Sequence, residues 1–261
     1  MRRALIFGGT GAVGSALVHA LSDRGAKVRF TWNQRRPAAE AEAEALIAAV
    51  TAAQAQTQEN PTATGNTPRQ RALPTALGVD LSDLAATRAV LRKLIDADEA
   101  PDIIVHCAAV ADVEPWHTLS DDAWERSQRI GCQALFAAVQ ELAPSLRARG
   151  GGDVIAVGGL DRAQSLPIPV LYAATQGMLS GLVMALAKQL GGDNVRVNMV
   201  ALGPLETGLS HKLDPELRAA YLRFSAQRRL GTAEEAAHAI AWLALNNRYM
   251  NGKVLPVNGG I

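Results

Sequence analysis

Cysteine is nearly absent from this chain of 261 residues, which holds only Cys107 and Cys132. With no C-x-x-C pair and no clustered histidines, they make neither a disulfide framework nor a zinc site. Both are expected as buried small side chains in a reducing compartment, and no metal is expected. Aromatic residues supply 4% of the chain against 48% for hydrophobic residues as a whole, so a core must come from Ala, Leu and Val. That is the composition of helices covering a branched-aliphatic sheet. Charge of one sign is missing too: the net charge is +1, and the arginines come in scattered pairs (Arg2/Arg3, Arg35/Arg36, Arg228/Arg229). Neither nucleic acid nor an anionic membrane is expected as a partner. No apolar run reaches the roughly 18 residues of a membrane span, and glycines break the first such run after Phe7. Neither a span nor a secretory signal is predicted, and a soluble cytoplasmic protein is expected.

Glycine, by contrast, is concentrated where it matters. The apolar run at residues 4–7 enters Gly8, Gly9, Gly11 and Gly14, and a helical pattern follows at residues 15–21. Gly9, Gly11 and Gly14 form G-x-G-x-x-G in the strand–turn–helix setting that presents backbone N–H groups and a helix N-terminus to a phosphate.

Strands and helices then alternate. Strands are predicted at residues 27–32, 75–79, 103–107, 153–157, 195–201 and 254–257. Helices are predicted at residues 38–53, 83–97, 120–144, 172–190 and 232–245. Ser120 is expected to cap the third of these, which should end near Pro144. Thr232 and Glu235 read as a capping box. Residues 54–72 contain almost no large apolar side chain and read as an exposed loop insertion. Residues 205–229, after the Gly203–Pro204 break, form an amphipathic stretch. The alternation predicts a single α/β domain: a doubly wound parallel sheet of about seven strands, with helices on both faces.

These signals fall in an order that resembles the short-chain dehydrogenase/reductase family, most closely its 3-oxoacyl-thioester reductases. The resemblance implies a nicotinamide cofactor held by Gly8, Thr10, Gly11, Val13 and Gly14. Asp80 and Leu81 would stand at the adenine, with Cys107 and Ala108 in the segment after the fourth strand. Gly203, Pro204 and Thr207 would lie on the nicotinamide side, and residues 205–229 would form a lid over substrate. The second strand ends in Asn33, Arg35 and Arg36 with no acid, which suits the 2′-phosphate of NADP(H) better than the ribose of NAD.

The same resemblance exposes what is missing. Tyr172 stands as the proton-transferring tyrosine. The lysine position four residues on is Gln176, the serine position thirteen residues before is Gly159, and the asparagine position is Gly131. Leu202 stands where a proline is usual and Asn258 where an aspartate is usual. Ser165, Asp161 and Arg162 are candidates to replace a missing group. A cation about 4 Å from a phenolate, at an effective dielectric of about 20, is worth about 4 kcal/mol, or roughly a thousandfold in rate. One carbonyl-polarising donor is worth about 10²–10³. Oxidation needs Tyr172 as a phenolate, whereas reduction needs only a neutral phenol, so carbonyl reduction is the direction expected to survive.

Three readings follow. The first is an NADPH-dependent reductase of a small or carrier-bound ketone. The second is an inactive subunit in a homo-oligomer or alongside an active homologue, through the apolar helix at residues 178–187. The third is a non-redox cyclase or dehydratase. Leu205, Leu209, Leu213, Leu217, Tyr221 and Leu222 either line a pocket or pack the lid onto the body.

Overall fold

The computed structural model describes residues 1–59, 72–159 and 168–261. Seven parallel strands form one sheet in the order β3-β2-β1-β4-β5-β6-β7. The strands are β1 (Arg3–Phe7), β2 (Lys27–Trp32), β3 (Thr75–Gly78), β4 (Ile103–His106), β5 (Gly152–Gly159), β6 (Val195–Leu202) and β7 (Val254–Val257). The order reverses between β1 and β4, where Phe7 pairs with His106. That reversal opens a crevice beyond the strand ends, the place where ligands bind in sheets of this kind.

Each face carries its own core. On one side α1 (Ala12–Asp23), α2 (Ala39–Glu59) and α8 (Ala233–Leu245) bury Leu17, Leu21, Phe30 and Ile240. On the other, α3 (Leu84–Asp96), α5 (Ala134–Ala148) and α6 (Val170–Leu190) bury Leu91, Leu135, Leu142 and Val183. The expected caps are in place. Ser120 accepts a hydrogen bond from Ala123 N–H at the start of α4 (Asp121–Gln128), and Thr232 and Glu235 exchange both bonds of the capping box. α7 (Pro215–Phe224) lies within the amphipathic stretch, and Leu205 bridges to Gly231 across its base.

The structure corrects several expectations. α2 runs to Glu59, so residues 54–59 are helical rather than loop, and Gln54 is buried. The Ala- and Gln-rich stretch is a good helix former even without large apolar residues. Residues 60–71 of the expected loop lie outside the described residues. α5 continues through Pro144 to Ala148, because the fully buried Leu142 and Leu146 hold the last turn against the body despite the missing N–H. β5 extends to Gly159, paired with Leu202 of β6. By length and composition alone one helix meets the test for a membrane span, a test that core helices also pass. α6 with the turn after it (Val170–Asp193) is long and apolar enough, with a mean hydropathy of 1.5. In this fold Leu179, Val183 and Ala187 pack it against the sheet, while Met184 is exposed.

Candidate active site

The turn after β1 is built for close approach. Gly8 adopts φ +78°, and its N–H donates to Thr31 Oγ1 at 3.0 Å. A Cβ on Gly14 would stand 2.2 Å from the Gly8 carbonyl oxygen, so only glycine lets α1 begin against the turn. α1 starts at Gly11 with no side-chain cap and no acid in its first turn. Its N–H groups and the positive end of its dipole therefore stay free for an anion.

A cavity of about 410 Å³ opens from this turn across the crevice. The glycine-turn residues Gly8, Thr10, Gly11, Val13 and Gly14 line it. So do Asn33, Asp80 and Leu81 at one end, Cys107 and Ala108 after β4, and Gly203 and Thr207 beyond β6. Burial pushes the Cys107 thiol up to about 12, which leaves it inert.

Three expected residues are placed elsewhere. Pro204 lines a neighbouring cavity instead. Arg36 pairs with Glu42. Arg35 Nε lies 2.8 Å from the buried carboxylate of Asp80, whose other oxygen accepts from Ser82 N–H and Oγ. These arginines had partners further along the chain, and local sequence does not show them. Sequence reasoning also missed Thr31, Arg126 and Ile130 in the cavity wall. Arg126 and Ile130 stand four apart on one side of the helical segment before Gly131, a spacing that marks a common face.

At its far end this cavity meets a second, mostly apolar one of about 330 Å³, lined by Val113, Ile168, Pro169, Leu213, Leu217 and Tyr221 among others. Gly159, Tyr172, Leu202, Gly203, Leu209 and Ser210 belong to both. Gly203 lacks the Cβ that would stand 2.0 Å from the Tyr221 hydroxyl, and that hydroxyl donates to the Asn258 carbonyl at 2.8 Å. Residues 160–167, which include Asp161, Arg162 and Ser165, lie outside the described residues.

The largely buried Tyr172 sits at the seam. Burial pushes its phenol up to about 12, with a backbone hydrogen bond from Gly159 pulling the other way. A Cβ on Gly159 would stand 2.5 Å from the phenol oxygen, so the tyrosine hydroxyl fills the space a side chain there would need. Gln176, 8% exposed, turns under the end of β5. Its Oε1 accepts from Gly159 N–H at 3.1 Å, and its Nε2 has no partner among the described residues. Gly158 leaves room for it, since a Cβ would stand 2.0 Å from that oxygen.

Gly131 lies in a π-helical turn, Arg129–Gln133, between α4 and α5. Here a Cβ would stand 2.3 Å from the Thr175 methyl. The Thr175 hydroxyl donates to the Leu171 carbonyl and lies 3.1 Å from Ser127 Oγ. Beside this turn the fully buried His106 packs edge-on to Phe7, with ring centroids 5.8 Å apart. The carbonyls of Ile130 and Gly131 face its ring, but neither closes to a hydrogen bond of normal geometry, and burial pushes the imidazole down to about 4.

The comparisons agree with this geometry. Residues 9–261 match the family model described as enoyl-(acyl carrier protein) reductase. The chain is 27% identical to the 3-oxoacyl-[acyl-carrier-protein] reductase FabG of Escherichia coli (strain K12) over 186 residues, covering 71% of this chain and 76% of that one. Among solved structures it is similar to a short-chain dehydrogenase/reductase from Serratia marcescens BCRC 10948, at 29% identity, with 99% and 97% of the two chains covered and a TM-score of 0.80. It is also similar to a blue fluorescent protein from a metagenomic library, solved in complex with NADPH, at 26% identity, the same coverage and a TM-score of 0.83. With nearly its whole length matched and the glycine turn at the sheet's crevice, the chain belongs to the short-chain dehydrogenase/reductase family.

Proposed function

We propose that this protein is an NADPH-dependent carbonyl reductase acting on an apolar ketone of the 3-oxoacyl type. The observation that carries the reading is the position of Tyr172 at the seam between a dinucleotide-sized crevice and an apolar cavity. The free N-terminus of α1, the missing Cβ of Gly14 and a crevice lined from the glycine turn to Tyr172 fit a dinucleotide. Gly8, Gly11 and Gly14 would hold its pyrophosphate, and Asn33 and Leu81 would flank its adenosine end. The relative solved with NADPH supports the same cofactor. When bound, NADPH supplies a hydride to a carbonyl carbon.

Tyr172 then gives its proton to the carbonyl oxygen as that oxygen takes on negative charge. With a phenol held near 12, about one molecule in 10⁵ is phenolate at pH 7. The group is an acid in place and scarcely ever a base, so reduction is favoured over oxidation. Leu213, Leu217 and Tyr221 would shed water from the aliphatic part of the substrate.

A second reading, a catalytically silent subunit partnering itself or an active homologue, draws on a different observation. Gln176 is buried under the end of β5 with its Oε1 on Gly159 N–H, and it offers no cation beside the phenol of Tyr172. NADPH consumption with an acetoacetyl thioester decides between them. The reductase reading expects turnover that Tyr172→Phe abolishes while NADPH binding persists. Binding without turnover in the wild type favours the silent subunit, and turnover unchanged in Tyr172→Phe removes the tyrosine from the chemistry.

A further inference from the structure

We infer that Arg126 clamps a phosphate of the bound dinucleotide, an inference that rests on the cofactor reading above. Among the described residues the charged side chains lining the crevice are two, Asp80 and Arg126. Asp80 is already neutralised, with Arg35 on one carboxylate oxygen and Ser82 on the other. Arg36, the other cation at the end of β2, is held by Glu42 outside the crevice. Arg126 differs from both. It stands on α4 in the crevice lining, one turn before Ile130. Among the described residues no carboxylate lies within ion-pair distance of it, although Glu125 precedes it and pairs instead with Arg129.

A dinucleotide brings at least two negative charges into this crevice. The start of α1 offers roughly half a positive charge, which leaves most of that charge unmatched. An exposed, planar guanidinium with no ion-pair partner among the described residues matches phosphate oxygens two at a time. Using it breaks no ion pair, whereas recruiting Arg35 would uncover the buried Asp80 carboxylate. Arg126 therefore binds cofactor and takes no part in proton transfer.

The test titrates the full chain with NADPH and with NADH, by calorimetry or tryptophan quenching, at low and high salt. R126Q is expected to bind NADPH roughly tenfold more weakly at low salt, with R126K between it and the wild type. The two curves should converge as salt rises. R147Q, altered near the end of α5 where Arg147 pairs with Asp193, should bind as the wild type does, and unchanged unfolding midpoints show that all three variants fold. Weakening of both cofactors assigns the clamp to the shared pyrophosphate, and weakening of NADPH alone assigns it to the 2′-phosphate. Equal affinity of R126Q and wild type at low salt overturns the inference while leaving the cofactor reading intact. A wild type that binds neither cofactor overturns both.

Discussion

Replacing His106 tests the energetics of the layer beneath the site without depending on turnover. The imidazole is fully buried, neither nitrogen has a hydrogen-bonding partner, and its pKa falls from 6.5 to about 4. The folded state therefore binds fewer protons than the unfolded state between those values. The neutral ring's contribution is fully present above pH 6.5 and is lost as the pH falls through that window toward 4. At about 1.4 kcal/mol per unit, the loss sums to about 3 kcal/mol. His106→Asn removes the titration. It changes stability at neutral pH by an amount that does not vary with pH, since asparagine has no proton to gain. Urea unfolding of both chains at several pH values from 7.5 to 4 gives the difference directly (pH values chosen to bracket roughly the window above). The wild type should lose about 3 kcal/mol more than the variant across the window, or roughly 6–12 °C in a thermal scan. The carboxylates of Glu99 and Glu235, held near 2 by their cationic partners, titrate alike in both chains and cancel. Parallel stability curves for the two proteins would refute the reasoning, because an unpaired buried imidazole cannot accept a proton at no cost.

Gly14→Ala forces a Cβ to within 2.2 Å of the Gly8 oxygen, so it should cost about 1–3 kcal/mol in unfolding free energy and abolish NADPH binding in a titration. Gly159→Ser puts a Cβ 2.5 Å from the Tyr172 oxygen and must move that oxygen by about 1 Å, which should lower any reductase turnover by about 10² even though it supplies a hydroxyl; a faster enzyme would contradict this. Gln176→Lys places an ammonium where the existing side chain is 8% exposed and pressed against Gly158, so denaturant unfolding should show a loss on the order of several kcal/mol. A lysine variant as stable as the wild type would mean that the new side chain escapes into the crevice.

The fold was legible because its signals are local. Period, caps and glycine turns each lie within a few residues, and the parallel order follows from alternation alone. The reading failed where packing overrules local chemistry. Pro144 argued for a helix end, yet Leu142 and Leu146 on the same turn are fully buried. Residues 54–59 lacked large apolar groups, yet the helix persisted and buried Gln54. The crevice was legible at its backbone-defined parts and not at its cations. Arg35 and Arg36 suggested a 2′-phosphate because the end of β2 holds no acid, but the ion pair of Arg35 is not local: Asp80 lies 45 residues beyond it, and the parallel pairing of β2 with β3 brings the two together. Arg126 carried no signal beyond its spacing from Ile130.

Gly131, Gly159 and Gln176 stand, in the sequence reading, where the resemblance implies an asparagine, a serine and a lysine. The structure ties them together through volume. Gly131 leaves space that the Thr175 methyl occupies, Gly158 leaves space for the Gln176 amide, and Gly159 leaves space for the Tyr172 hydroxyl. All three occupants stand on the first turns of α6. A glycine with nothing in its place would leave a void between β5, the π-helical turn and α6, at a cost of about 24 cal/mol per Å³. Instead, each glycine faces a side chain that fills its place, and Gln176 even satisfies the Gly159 N–H. Substituting any one member back toward the family residue therefore meets a filled site, which is why single reversions are expected to harm rather than rescue. Gly159 lets the Tyr172 hydroxyl lie against the strand. In the proposed reductase that hydroxyl would be a proton donor held neutral at the mouth of an apolar cavity, and its neighbours would have to be changed together to move it.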